Sequence, residues 1–305
     1  MFMRYEYLSQ HPRVFHSMTG LTIAEFNALL AELAPAFEAS EAKRLARPGR
    51  TRAPGAGHPW GLDYRDGMLL NLVWLRQYPT GVVLGYFFGI GEASVRRTLA
   101  RFRPVLAAAG RATFRWPNQQ RGRKLAEVLA DCPAVAIVID SFEQQVQRPN
   151  DREQAKEHYS GKKQQITRKV QVCVDWQGYI CHVSESVPGP QADIALLKES
   201  GVLDDLPDDV GAWGDSAYQG MKDLHPSGLA AHPRRKPRGK PRSKADKAYN
   251  KALAQHRIVV EHSIGHLRHF QALQQRFRHN LDNHTATVIA IAGVVNRRYS
   301  WRGVA

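Results

Sequence analysis

The chain has 305 residues, enough to bury a substantial core in one large domain or two smaller ones. It carries 43 Lys and Arg against 28 Asp and Glu, a formal net charge of +15, so a polyanion is the expected partner. The basic residues are spread through folded-looking segments and not gathered beside an apolar span, which favours a nucleic-acid binder over a membrane-surface protein.

The N-terminus, MFMRYEYLSQ, has no apolar stretch followed by a small-residue cleavage site, so no secretory signal is read there. Cys132, Cys173 and Cys181 form no CxxC pair and are odd in number, which argues against a disulfide framework or a zinc knuckle and for a reduced, cytoplasmic setting.

In chain order, Leu21, Phe26, Leu29, Leu30, Leu33 and Phe37 recur at helical spacing and predict a helix over residues 20–39, with Thr22 as its cap. Residues 43–61 are rich in Arg, Gly and Pro and read as a basic loop or arm. Met68, Leu69, Leu72, Val73 and Leu75 mark a second helix over 63–77. The segment 80–88 follows, then a sharp break at Gly89-Ile90-Gly91. The next helix sets Val95, Leu99, Phe102 and Leu106 on one side and leaves Arg96, Arg97, Arg101 and Arg103 elsewhere on its surface. A short helix, a glycine turn and an arginine-studded helix suggest a helix-turn-helix over about 63–106, inside a helical DNA-binding domain of residues 1–110. A helical hairpin with solvated arginines is the alternative.

Residues 111–130 are polar and basic and read as a linker, after which the period changes. The apolar run Ala134–Ile139 predicts a buried central strand with Asp140 at its tip. Lys169–Asp175 and Tyr179–Glu185, joined by Trp176-Gln177-Gly178, predict an antiparallel hairpin. A helix over 192–199 follows, then a short strand from Gly211 that runs into Asp215, and a fifth strand over 228–231. One long helix is expected over 245–274 and a last one over 285–299. The apolar run within that last helix, Ala286–Val295, is about half of the roughly 20 residues a membrane span needs.

The expected fold is therefore α/β: an RNase H-like catalytic core over 131–305, a mixed five-stranded sheet with flanking helices, preceded by an all-α helix-turn-helix domain. Carboxylates in that order suit phosphodiester cleavage. In-line displacement on an anionic phosphate is assisted by two divalent ions, and hard ions such as Mg²⁺ take oxygen ligands. Asp140, Asp215 and Glu261 are the candidate catalytic and metal-holding residues. Asp193 also stands in this region, but at the start of a helix it reads as a cap.

The words around the three acids are VIDSFEQQVQRP with HYSGKKQQITRKVQV behind it, VPGPQADIALL with WGDSAYQG, and AYNKALAQHRIVVEHSIGHLRHFQAL. They resemble the DDE transposase superfamily, in particular insertion-sequence elements of the IS5 type and their Harbinger-like relatives, over most of the chain. Departures are Ala254 where relatives place Tyr, Arg268 for the commoner Lys, and Ile166 and Ala192 where His is frequent.

The resemblance implies a bacterial DNA transposase, nucleoid-associated when bound to DNA. It would use two Mg²⁺ ions, with Mn²⁺ able to substitute, to cut a strand and join the exposed 3′-OH to target DNA. Its partners would be double-stranded DNA, both transposon ends and target, and at least one further copy of itself. Arg257 and Arg268, four before and seven after Glu261 on one helix, would grip phosphates of the transposon end. Lys162, Lys163, Arg234, Arg235 and Lys236 would add sequence-independent phosphate contacts, and Arg96, Arg97 and Arg101 would serve the end-reading helix. A catalytically silent, transposase-derived DNA-binding protein is the rival. His262, His266 and His269 share a helix face, but HExxH and HxxEH both fail, so zinc is not expected there.

Overall fold

Glycine, proline and capping residues punctuate the described part of the first 112 residues into a stack of helices. The computed structural model describes residues 3–46, 49 and 61–303. Of the basic arm expected over 43–61, residues 47, 48 and 50–60 lie outside the described residues.

The two short helices α1 (Tyr5–Leu8) and α2 (Pro12–Thr19) precede the first predicted one. Pro12 opens α2 and Gly20 closes it in the left-handed region, at φ 79°. The helix predicted from residue 20 is α3 (Ile23–Leu45). Thr22 accepts from Glu25 N while the Glu25 carboxylate takes the Thr22 N–H, a reciprocal cap that sets the start.

Three helices then form the helix-turn-helix region. Asp63 caps α4 (Tyr64–Gln77), Thr80 caps α5 (Gly81–Phe88), and Gly89 at φ 62° turns the chain into α6 (Glu92–Arg111). Phe102 of α6 stacks at 4.4 Å on Phe37 of α3 and at 5.8 Å on Tyr64 of α4, so an aromatic trio locks these helices together.

The expected linker is pinned down along its length. Arg115 lies 4.4 Å over the Tyr179 ring, and Arg121 pairs with the buried Asp175. Beyond it, β1 (Ala136–Gln145) is followed by α7 (Arg152–Glu157), β2 (Tyr159–Ser160), β3 (Gln165–Val174), β4 (Ile180–Val183), β5 (Val187–Pro188), α8 (Asp193–Ser200) and β6 (Gly211–Trp213). Then come α9 (Met221–Leu224), β7 (Ala230–Ala231), α10 (Lys244–Arg268), α11 (Gln271–Gln274) and α12 (His284–Trp301).

The sheet runs β2-β3-β1-β6-β7, with β4 and β5 also paired to β3. β1 is antiparallel to β3 and parallel to β6. The mixed RNase H-like core of five strands is present, and the two-residue strands β2 and β5 extend the pairing of β3. Alternation along β1 sends Ala136, Val138 and Phe142 into the larger apolar core, shared with the N-terminal helices and α12, and Ile137 and Ile139 into a smaller core under α8.

Two expectations are corrected. Asp140 does not end its strand: β1 continues to Gln145 because Ser141 to Gln145 keep pairing with β3, while the parallel pairing with β6 stops at Val138↔Trp213. The long helix over 245–274 breaks after Arg268. Phe270 turns extended and fully buried, and Arg76 of α4 donates to the freed His269 carbonyl at 2.6 Å.

The helical region and the sheet are joined through α12. Arg297 pairs with Glu32 and Arg302 with Glu25. Gly110 and Gly293 meet where α6 crosses α12, so closely that a Cβ on Gly293 would overlap the Gly110 backbone. Among the described residues, no helix is long and apolar enough to cross a membrane.

Candidate active site

Asp140 sits where β6 leaves the side of β1, so one edge of the strand opens beside its carboxylate. Continuing the parallel register by two residues sets Asp215 level with it. The Ser141 N–H donates to Asp140 Oδ1 at 2.8 Å, and Arg257 of α10 stands 3.8 Å from Oδ2. Burial pushes the Asp140 carboxyl up to about 6, with the charges of Asp215 and Asp193 adding to the rise, while the Ser141 N–H and Arg257 oppose it.

Glu261 comes from the helix that crosses this face of the sheet. Val260, Ile264 and Leu267 bury one side of α10, and the Ser263 hydroxyl donates to Gly178 O at 2.9 Å, tying α10 to the β3–β4 turn. Asp140 and Glu261 line the same cleft, of about 540 Å³, together with Lys162, Lys163, Lys169, Asp193 and Arg268. Lys162 and Lys163 lie exposed in the β2–β3 turn, and Arg268 lies 5.4 Å over the Phe142 ring.

Asp215 does not line that cleft. It caps the turn after β6, accepting from Ala217 N at 2.7 Å, yet it is near enough to act on the charge of Asp140. Among the described residues, no three His, Cys, Asp or Glu side chains are grouped closely enough to hold one metal ion. In kind the donors suit a hard cation: Asp140 and Glu261 offer carboxylate oxygens to the same cleft, and burial, with the charges of Asp215 and Asp193 adding, makes the Asp140 carboxylate a group that a bound cation would stabilise.

The other candidate DNA contacts are dispersed. Arg96 and Arg97 are exposed on α6, whereas Arg101 faces Glu41 of α3 at 3.8 Å. Arg234 pairs with Asp246 and lies 4.2 Å over Tyr249, fastening its segment to α10. Arg235 and Lys236 are exposed, away from the cleft lining. His266 packs edge-on against His269 and Tyr299.

Reading the sequence passed over Ser141 and Lys169, and Asp193 is not the helix cap it was expected to be. Ala192 is the residue preceding α8, with no side-chain cap, and the Asp193 carboxylate instead accepts from the Ser141 hydroxyl at 2.6 Å and pairs with Lys169 at 3.0 Å. The alternation of β1 and β3 sets Ser141 and Lys169 on the α8 side of the sheet, a signal legible only once the partner helix is placed.

The family model described as DDE superfamily endonuclease matches residues 139–296, and that described as helix-turn-helix of DDE superfamily endonuclease matches residues 60–112. Over 284 residues the chain is 27% identical to a "Probable transposase for insertion sequence element IS702" of Microchaete diplosiphon, an alignment covering 93% of this chain and 94% of that protein. No solved structure matches.

Proposed function

Because this chain belongs to the DDE superfamily of endonucleases, as a transposase of the insertion-sequence type with a DNA-binding helix-turn-helix, we propose that it cuts and rejoins DNA at the cleft holding Asp140. The observation that carries this reading is the half-buried Asp140, its carboxyl raised to about 6, in a basic-rimmed cleft that Glu261 also lines.

Asp140, Asp215 and Glu261 are the residues that would hold divalent cations, Mg²⁺ or Mn²⁺. When bound, two such ions stabilise the attacking and leaving oxygens of an in-line displacement. The remaining work falls to the chain itself. Ser141 N–H holds the Asp140 carboxylate, Lys162, Lys163 and Arg268 receive phosphates at the rim, and Arg257 reaches the scissile region from α10. In the helix-turn-helix, α6 enters the terminal inverted repeat with Arg96 and Arg97 outward. Two copies bring two ends together, in a bacterial cytoplasm at the nucleoid.

The test is Mg²⁺- or Mn²⁺-dependent cleavage of DNA carrying the ends of the element, with its loss in Asp140→Ala. Tight binding of those ends by the wild type without nicking under any divalent metal would replace this reading by that of a catalytically silent DNA-binding protein.

A further inference from the structure

The acid that reading the sequence set aside as a cap has a place in the cleft. β1 carries Asp140 and Ser141 to opposite faces of the sheet: Asp140 toward α10, where Arg257 stands, and Ser141 toward α8, where Asp193 stands. Ser141 is held at two points. Its N–H donates to Asp140 Oδ1 at 2.8 Å and its hydroxyl to Asp193 Oδ1 at 2.6 Å. The bond to Asp193 anchors the Ser141 side chain on the α8 face and so restrains the strand backbone whose N–H holds the Asp140 carboxylate on the α10 face.

Asp193 is itself anchored. Lys169, its side chain only 8% exposed, stands 3.0 Å from Asp193 Oδ1 and donates to the Gln191 carbonyl at 2.5 Å. A lysine so buried with a single carboxylate partner commits that carboxylate, because giving Asp193 to a metal ion would leave the ammonium without a counter-charge, held by the neutral Gln191 carbonyl. Asp193 Oδ1 already receives both a hydroxyl hydrogen and an ammonium.

We propose that Asp193 is a positioning residue for Asp140, acting through Ser141 with its charge balanced by Lys169, and is not a metal ligand. The proposal rests on the reading of Asp140 as metal-holding. Outer contacts of this kind hold a ligand in the orientation that a cation requires, and losing one typically weakens metal binding about 10- to 100-fold.

The experiment is Mn²⁺ binding to the purified full-length protein without DNA, followed by electron paramagnetic resonance and calorimetry, with thermal melting to confirm that each variant is folded. Ser141→Ala and Asp193→Asn are expected to weaken Mn²⁺ binding about 10- to 100-fold with unchanged stoichiometry, and Ser141→Thr, which keeps the hydroxyl, to restore it. Ser141→Ala removes only a hydroxyl from a paired strand, so it remains informative should Asp193→Asn fail to fold. Wild-type affinity in Ser141→Ala overturns the proposal. So does loss of a whole bound ion in Asp193→Asn, which would make Asp193 a ligand. Unchanged Mn²⁺ binding in Asp140→Asn would instead bring down the reading of the triad itself.

Discussion

Replacing Asp140 by Asn is expected to make the metal-free protein more stable at neutral and alkaline pH. Burial, helped by Asp215 and Asp193, lifts this carboxyl from 3.8 to about 6, and that rise is already net of the opposing Ser141 N–H and Arg257. The folded protein therefore holds the proton more tightly than the unfolded chain. Stability from this group is fully present below pH 3.8 and is lost as pH rises through about 6. At about 1.36 kcal/mol for each tenfold change in proton affinity, the loss at pH 8 amounts to about 3 kcal/mol. Asn is neutral at every pH and can still accept from the Ser141 N–H, so the variant escapes that loss. The assay is urea unfolding in EDTA at pH 4 and pH 8, comparing wild type with Asp140→Asn. The gap is expected to open only at the higher pH. Adding Mg²⁺ should then close it, because a cation at about 100 times its dissociation constant stabilises the wild type alone by about 2.7 kcal/mol. A gap that is the same at both pH values, or an Asn variant less stable at pH 8, would refute the reasoning.

The crossing of α6 and α12 gives a second test: Gly293→Ala drives a methyl into the Gly110 backbone and is expected to cost about 1–3 kcal/mol, read as a lower urea midpoint at unchanged m. On α6, Arg96→Ala and Arg97→Ala should each reduce the salt dependence of binding to end DNA by about one in slope, measured by fluorescence anisotropy across salt. Arg101→Ala should leave that slope nearly unchanged and lower stability instead, since its guanidinium faces Glu41. Burial holds His182, His279 and His284 at about 4, 4 and 3, below their ordinary 6.5. Their contribution is present above pH 6.5 and lost as pH falls toward those values, so the urea midpoint should drop from pH 7 to pH 4.5 and drop less in His284→Gln.

Much of the fold was legible from local signals. Thr22, read as a cap, and Gly89, read as a break, are helix punctuation that acts within a few residues, and the structure uses both so; Glu25, Asp63 and Thr80 add caps of the same local kind. The hairpin at Trp176-Gln177-Gly178 was likewise legible, because Asp175 Oδ1 accepts from both Gln177 N and Tyr179 N and closes the turn by itself. Misreadings fell where a distant partner decides. The break at Phe270 depends on Arg76, which lies 193 positions before the His269 carbonyl to which it donates. The continuation of β1 past Asp140 depends on β3, which offers partners out to Thr167.

By itself the sequence determined a basic, nucleic-acid-directed chain, the order of its main helices and strands, and the three acid-bearing words that resemble its family. Composition and periodicity are properties of neighbouring residues, so they survive without the fold. Only the tertiary structure decided that Asp140 lies within a strand at the point where its parallel neighbour departs, and that Glu261 shares its cleft. It also turned Asp193 from a helix cap into the partner of Ser141 and Lys169. These are contacts between segments far apart in the chain, and a carboxylate's neighbours, burial and proton affinity exist only once the sheet has brought them together.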